Sequence, residues 1–240
     1  MGLTIHFKLR APSGTDASRA EEIVTQLRKR AGCEWIEGRV DSVLPVATDY
    51  QARRLGITWI YAPVPDRPTA RYEAEVVPIE GFVLRVRPGK DCETLALGLC
   101  RYPTQQWVGN QYRRTGFTGW RWQSFCKTQF ASLHGWEHFR RCHLAVLGLL
   151  DAARELGCRV TVSDEGEYWP RRNEAALRRN VEMMNCTIAG AAGAMNDFDG
   201  TKGAAGVQSP IFAHPQFEHL EAEGAARGHV AALRKALPPR

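Results

Sequence analysis

Residues 136–169 read WEHFRRCHLAVLGLLDAARELGCRVTVSDEGEYW, and they set the architecture. Trp136, Phe139, His143, Val146, Leu150 and Ala153 recur at intervals of three and four, which places them on one helical face. Glu137, Arg140, Arg141, Asp151 and Glu155 fall on or beside the opposite face. This pattern predicts a core helix over about 136–156, ended by Gly157. The next residues, CRVTVS (158–163), alternate as a strand, and DEGEYWP follows as a loop.

Working outward, LTIHFKL (3–9) alternates as an N-terminal strand. APSGTD is a turn whose Thr15 or Asp16 caps a helix over about 17–31, with Ala20, Ile23, Val24 and Leu27 on one face. Residues 34–100 are expected to hold several strands, best placed at 56–62, 73–79, 81–87 and 94–100. Loops plus a strand at 120–125 are expected over 101–133, and a last amphipathic helix over about 171–189, extending to Ala194. The order is βα, strands, then αβα. It predicts an α+β fold: a mixed sheet with helices packed mainly on one side. Residues 1–195 form the expected domain, 196–210 (NDFDGTKGAAGVQSP) a linker, and 211–240 an extension with a short helix near 216–236.

Composition bounds the function. The net charge of +6 points weakly to an anionic partner. No apolar run approaches the roughly 20 residues needed to span a bilayer, and the N-terminus has no signal-peptide core. A cytoplasmic protein without a membrane partner is therefore expected. The seven cysteines are scattered without a CxxC pair, which suits a reducing compartment and small buried thiols. No P-loop, GxGxxG, GxSxG or HExxH motif occurs, so nucleotide-dependent and serine-hydrolase readings lose their usual support and the cofactor is left open.

Residues 101–143 concentrate the chemistry: ten of the 43 are aromatic, seven are Lys or Arg, and Glu137 alone is acidic. Such a stretch is either a core seam or a site. Four readings follow. Cys126, His134, His138 and Cys142 offer soft donors for a metal, although standard zinc pairs are more regularly spaced. Cys126, next to Lys127, is a candidate nucleophile with His138 or His143 as its base. Asp164 and Glu165, at a strand-to-helix junction, are candidate general bases, or else cap the next helix. Arg101, Arg121 and Lys127 are candidate anion-binding cations, and Arg113, Arg114, Arg121, Lys127, Arg140 and Arg141 with Trp107, Tyr112, Trp120 and Trp122 also suit nucleic acid. The leading expectation is a small-molecule or anion pocket where the 100–143 block meets the 164–169 loop. A nucleic-acid-binding module and a purely structural or interaction protein are the alternatives.

Three blocks, GLCRYP (98–103), GWRWQSFCKTQFAS (119–132) and FRRCHLAVLGLLDAARELG with VSDEGEYWPRR (139–172), join the N-terminal LTIHFK. Together they resemble a family of bacterial proteins that carries no established activity. The resemblance spans roughly 3–195 and implies a bacterial, intracellular, single-domain protein.

Overall fold

A computed structural model of the chain describes residues 3–33, 36, 38–64, 67–169, 171–198 and 208–226. Strand β1 (Thr4–Arg10) leads into helix α1 (Ala17–Cys33), and a two-residue strand β2 (Leu44–Pro45) precedes the short helix α2 (Tyr50–Leu55). Strands β3 (Thr58–Val64) and β4 (Arg67–Val76) form a hairpin, followed by β5 (Glu80–Val86) and β6 (Leu95–Arg101). A second hairpin, β7 (Gln105–Val108) and β8 (Gln111–Arg114), comes before β9 (Arg121–Lys127). A 3-10 turn (Gln129–His134) then opens the run α3 (Trp136–Glu155), β10 (Arg159–Asp164) and α4 (Glu174–Phe198). After a further 3-10 turn (Pro210–Ala213), α5 (Phe217–Ala226) is the last described element.

This is the α+β fold expected from the sequence. The main sheet has six strands in the order β10-β1-β9-β6-β5-β2. The pairing refines the expected mixed sheet, because every neighbouring pair is antiparallel. The N-terminal strand β1 lies inside the sheet, between β9 and the late strand β10. Ile5, Phe7 and Leu9 are buried, whereas His6, Lys8 and Arg10 between them are exposed. This is the alternation of a sheet with one face in the core and one in water.

The core lies between the sheet and the helices α1 and α3. Ala20, Ile23, Val24 and Leu27 of α1 are fully buried, as are Phe139, Val146 and Leu150 of α3, with Leu149 nearly so. Both helices therefore bury the faces expected of them. Strand β6 is buried along its length up to Cys100, so it forms the middle of the packed region. Trp122 is only 2% exposed, and its indole N–H donates to the Ala96 carbonyl at 2.8 Å, so the ring is buried with its polar atom satisfied.

Three local readings differ from expectation. Helix α2 sits where strands were expected, because the Asp49 carboxylate caps it by accepting from Ala52 N at 2.8 Å. The β7–β8 hairpin replaces an expected loop. Gly109, the first of its two turn residues, has φ +66°, the position that a type II′ hairpin turn reserves for glycine. Helix α4 starts at Glu174, where the Asn173 side chain accepts from Ala176 N at 3.1 Å, and runs into the stretch expected as linker. Residues 199–207 of that stretch, and 227–240 of the expected C-terminal extension, lie outside the described residues. Residues 208–226 dock on α4: Ile211 and Leu220 are buried against Cys186 and Ala189. A Cβ at Gly224 would stand 2.1 Å from the Cys186 carbonyl, so α5 approaches the α4 backbone at a point that only glycine allows.

Leu150 is fully buried at the centre of α3. Leu150→Ala is expected to cost about 2–5 kcal/mol, read as a lowered urea midpoint at unchanged slope. An unchanged midpoint contradicts this placement.

Candidate functional site

The acidic loop is held by its own backbone. The Asp164 carboxylate accepts from the N–H groups of Gly166 (2.8 Å), Tyr168 (2.9 Å) and Trp169 (3.0 Å). Its side chain is fully buried, and His143 Nε2 of α3 lies 3.3 Å from Oδ1. That approach is close but lacks hydrogen-bond alignment. The other ring nitrogen, Nδ1, is 2.9 Å from Thr128 Oγ1, also buried. Burial alone would push the Asp164 carboxyl up. The adjacent imidazole and the backbone donors outweigh it and hold the group below the usual carboxylate range. This Asp164–His143–Thr128 relay ties β10, α3 and the end of β9 together inside the core. The sequence placed His143 on the apolar face but showed neither of its partners.

Cys126 projects toward α3 from the same side of the sheet as Asp164. Both pair with Ile5, one on each side of β1, so their Cα atoms are two strand spacings apart, roughly 10 Å. Cys126 is buried, and its thiol donates to the Glu93 carbonyl at 3.4 Å. Burial, then the nearby Glu93 and Cys142, push its pKa up. This direction is opposite to the activation expected from Lys127. Lys127 instead pairs with Glu93 at 3.4 Å. The hydrogen bond to Cys142, followed by burial, pushes Cys92 up as well, and burial takes Cys100 up to about 12. Protonated thiols of this kind pack as small hydrophobes.

The soft donors near the start of α3 lie near one another, but His134 and His138 also have partners outside the set. His138 Nε2 is 3.6 Å from Cys142 Sγ and 3.1 Å from the Lys90 carbonyl, whereas His134 pairs with Asp91 at 2.5 Å. Among the described residues no group of three or more His, Cys, Asp or Glu is arranged to hold a metal ion.

The remaining candidates also have separate partners. The second oxygen of the Glu165 side chain accepts from Thr4 N at 2.8 Å, and its first lies 3.8 Å from His6 Nε2. Arg101 pairs with Glu80. The Arg121 guanidinium lies 4.4 Å from the centre of the Phe117 ring. Arg121 and Cys126 stand at opposite ends of β9, so the structure brings Cys126 and His138 to Cys142 and leaves Arg101 and Arg121 elsewhere.

The exposed face of β10, β1 and β9 presents a different grouping. The register sets His6 beside Ser163 and Phe125, Lys8 beside Thr161 and Gln123, and Arg10 beside Arg159 and Arg121. Residues directly opposite in antiparallel strands project from the same face. All of these side chains are exposed except that of Arg121, which is half-buried. Phe125 keeps 48% of its surface in water, and its ring centre is 5.9 Å from that of His6. Three arginines thus stand in a row across three strands. Like charges directly opposite destabilise a sheet, and neighbours about 5 Å apart are well inside the screening length of about 8 Å. Burial, then the charge of Arg10, lower the Arg121 pKa. Among the described residues Lys8, Arg10 and Arg159 form no ion pair. The sequence alternation gave the direction of each of these side chains, but not the pairing that aligns them.

The hairpin β7–β8 adds exposed rings. Trp107 and Tyr112 are opposite one another, 5.0 Å apart in edge contact and 53% and 68% exposed. Trp120 and Trp122 are buried, so the aromatic block is divided between core and surface.

Among the described residues no helix is long and apolar enough to cross a membrane. Comparison with known proteins gives no match: no family model fits the chain, and neither a curated protein nor a solved structure is similar to it.

The Asp164 relay predicts a pH response. Its folded pKa lies below the unfolded value, so its contribution is present above the ordinary carboxylate pKa of about 3.9 and is lost as pH falls through the folded value. Asp164→Asn is expected to lower the urea midpoint at pH 7 and to flatten the decline below about pH 4. A variant as stable as the parent at pH 7 contradicts the structural role.

Proposed function

We propose that the protein binds single-stranded nucleic acid across the exposed face of β10, β1 and β9. The observation that carries this reading is the Arg159–Arg10–Arg121 row, three arginines set side by side by register, Arg159 and Arg10 exposed and Arg121 half-buried over Phe117. Phosphates relieve the mutual repulsion of such a row and release counterions as they bind. Phe125, with His6 beside it, offers a ring on which an unpaired base stacks. Thr161 and Gln123 supply hydrogen-bonding groups between the ring and the arginines, and Ser163 does so in the row of the ring itself. A duplex hides the faces of its bases, so the ring favours a single strand. A shared catalytic pocket has less support. Asp164 is consumed by backbone donors, Cys126 is buried with a raised pKa, and the cations expected to join them pair elsewhere. The resemblance noted above and the scattered free cysteines support a bacterial cytoplasm as the setting of this activity.

Anisotropy titrations of a labelled single-stranded oligonucleotide test this reading. Affinity is expected to fall linearly on a log–log plot against salt, with a slope of about −0.7 for each phosphate neutralised. Arg10→Gln with Arg159→Gln is expected to weaken binding about tenfold or more and to reduce that slope by roughly 1.4. Phe125→Ala is expected to cost about 1–3 kcal/mol of binding with the slope unchanged. No binding at low salt, or equal binding by a folded double variant, overturns the proposal.

A further inference from the structure

A second set of cations converges at β5, which β6 separates from β9. Residues 39–41 run antiparallel to the end of β5 through a bridge between Val40 and Val86. Arg87 N donates to the Arg39 carbonyl at 2.8 Å, and Asp41 N to the Arg85 carbonyl at 2.9 Å. This pairing sets Arg39 opposite Arg87 and Asp41 opposite Arg85. The three arginines, with Asp41 and Thr94, line a cleft of about 170 Å³. A Cβ at Gly38 would stand 2.0 Å from the Arg87 carbonyl oxygen, so the close approach that brings Arg39 to the cleft requires glycine. Arg28 of α1 secures the same segment from outside, its Nε donating to the Asp41 carbonyl at 2.9 Å.

The charges in this cleft do not balance. Asp41 supplies the one carboxylate of its lining, and it is taken by Arg39 at 2.6 Å. Among the described residues Arg85 and Arg87 form no ion pair. Arg85 is half-buried, so its charge is less well hydrated than that of a freely exposed arginine.

We propose that this cleft binds a phosphoryl group. A terminal phosphoryl carries about −1.5 to −2 charges and three acceptor oxygens, which match converging guanidinium forks and the Thr94 hydroxyl. A single carboxylate offers only two oxygens, one fewer than a phosphoryl, and Arg39 already has a carboxylate oxygen from Asp41 Oδ1. The phosphoryl can be free, as in pyrophosphate, or the 5′ end of a nucleic-acid strand. The inference stands on residues separate from the exposed face of β1 and does not need that face to bind nucleic acid.

The test is calorimetric titration of the full chain with pyrophosphate, with sulfate at matched ionic strength as control. Binding by the parent protein is expected to weaken about tenfold or more in Arg85→Gln with Arg87→Gln, and to remain unchanged in Arg53→Gln with Arg54→Gln, exposed arginines of α2 that line neither site. Circular dichroism verifies that both double variants fold, and Arg39→Gln provides an independent loss of the same site. A matched pair of oligonucleotides with 5′-phosphate and 5′-hydroxyl ends identifies the source. Tighter binding of the phosphorylated strand, lost in Arg85→Gln with Arg87→Gln, assigns the site to strand ends, and equal binding of the pair beside pyrophosphate binding assigns it to a free phosphoryl compound. An equal response to sulfate, or pyrophosphate and 5′-phosphate responses that persist in the Arg85→Gln with Arg87→Gln variant, overturns the proposal.

Discussion

The placement of β1 between β9 and β10 is the constraint on which the rest depends. A strand repeats every two residues, so a slip of one position would turn Ile5, Phe7 and Leu9 into water and His6, Lys8 and Arg10 into the core. Burial of the apolar set fixes the register, and the cationic row follows from the same choice. The core and the exposed face are two consequences of one pairing. Because β10 joins the sheet after α3, the first strand of the chain and its last sheet strand close the fold together.

Beneath that sheet, polar groups are buried only where several elements share them. Asp164 collects three backbone N–H groups and faces His143, which meets Thr128. Gln129 is fully buried: its carbonyl oxygen accepts from Leu3 N at 3.0 Å, and its amide donates to Asn185 of α4 at 3.0 Å. Apart from His143 Nε2, which has only the close approach of Asp164, these groups are satisfied, and they fix how elements meet, since leaving one without a partner costs roughly 1–3 kcal/mol. They explain why residues with catalytic potential in the sequence serve here as joints.

The long elements were legible because their periodicity is strong. Helix α3 shows its apolar face directly, and β1 and β10 show their alternation, so the α+β class followed. Two small elements were hidden by local chemistry that reads weakly in one dimension. The capped turn at Asp49 made a helix where strand-rich composition surrounds it, and Gly109 made a hairpin in a stretch rich in turn residues. For the candidate site, sequence supplied the side chains but not their partners. Lys127 follows Cys126 directly, yet alternation turns them apart, and Glu93 claims the lysine. Conversely, Arg10, Arg121 and Arg159 are distant in sequence and adjacent in the sheet, a proximity that only strand register creates.

The central claim is that a nucleic-acid strand lies on the face shared by β10, β1 and β9. Photo-crosslinking of a single-stranded oligonucleotide with photoactivatable bases, followed by mass spectrometry of the peptides, locates the strand directly. The account predicts adducts on peptides carrying His6 and Phe125. Adducts confined to other surfaces, with none on β1 or β9, would contradict it.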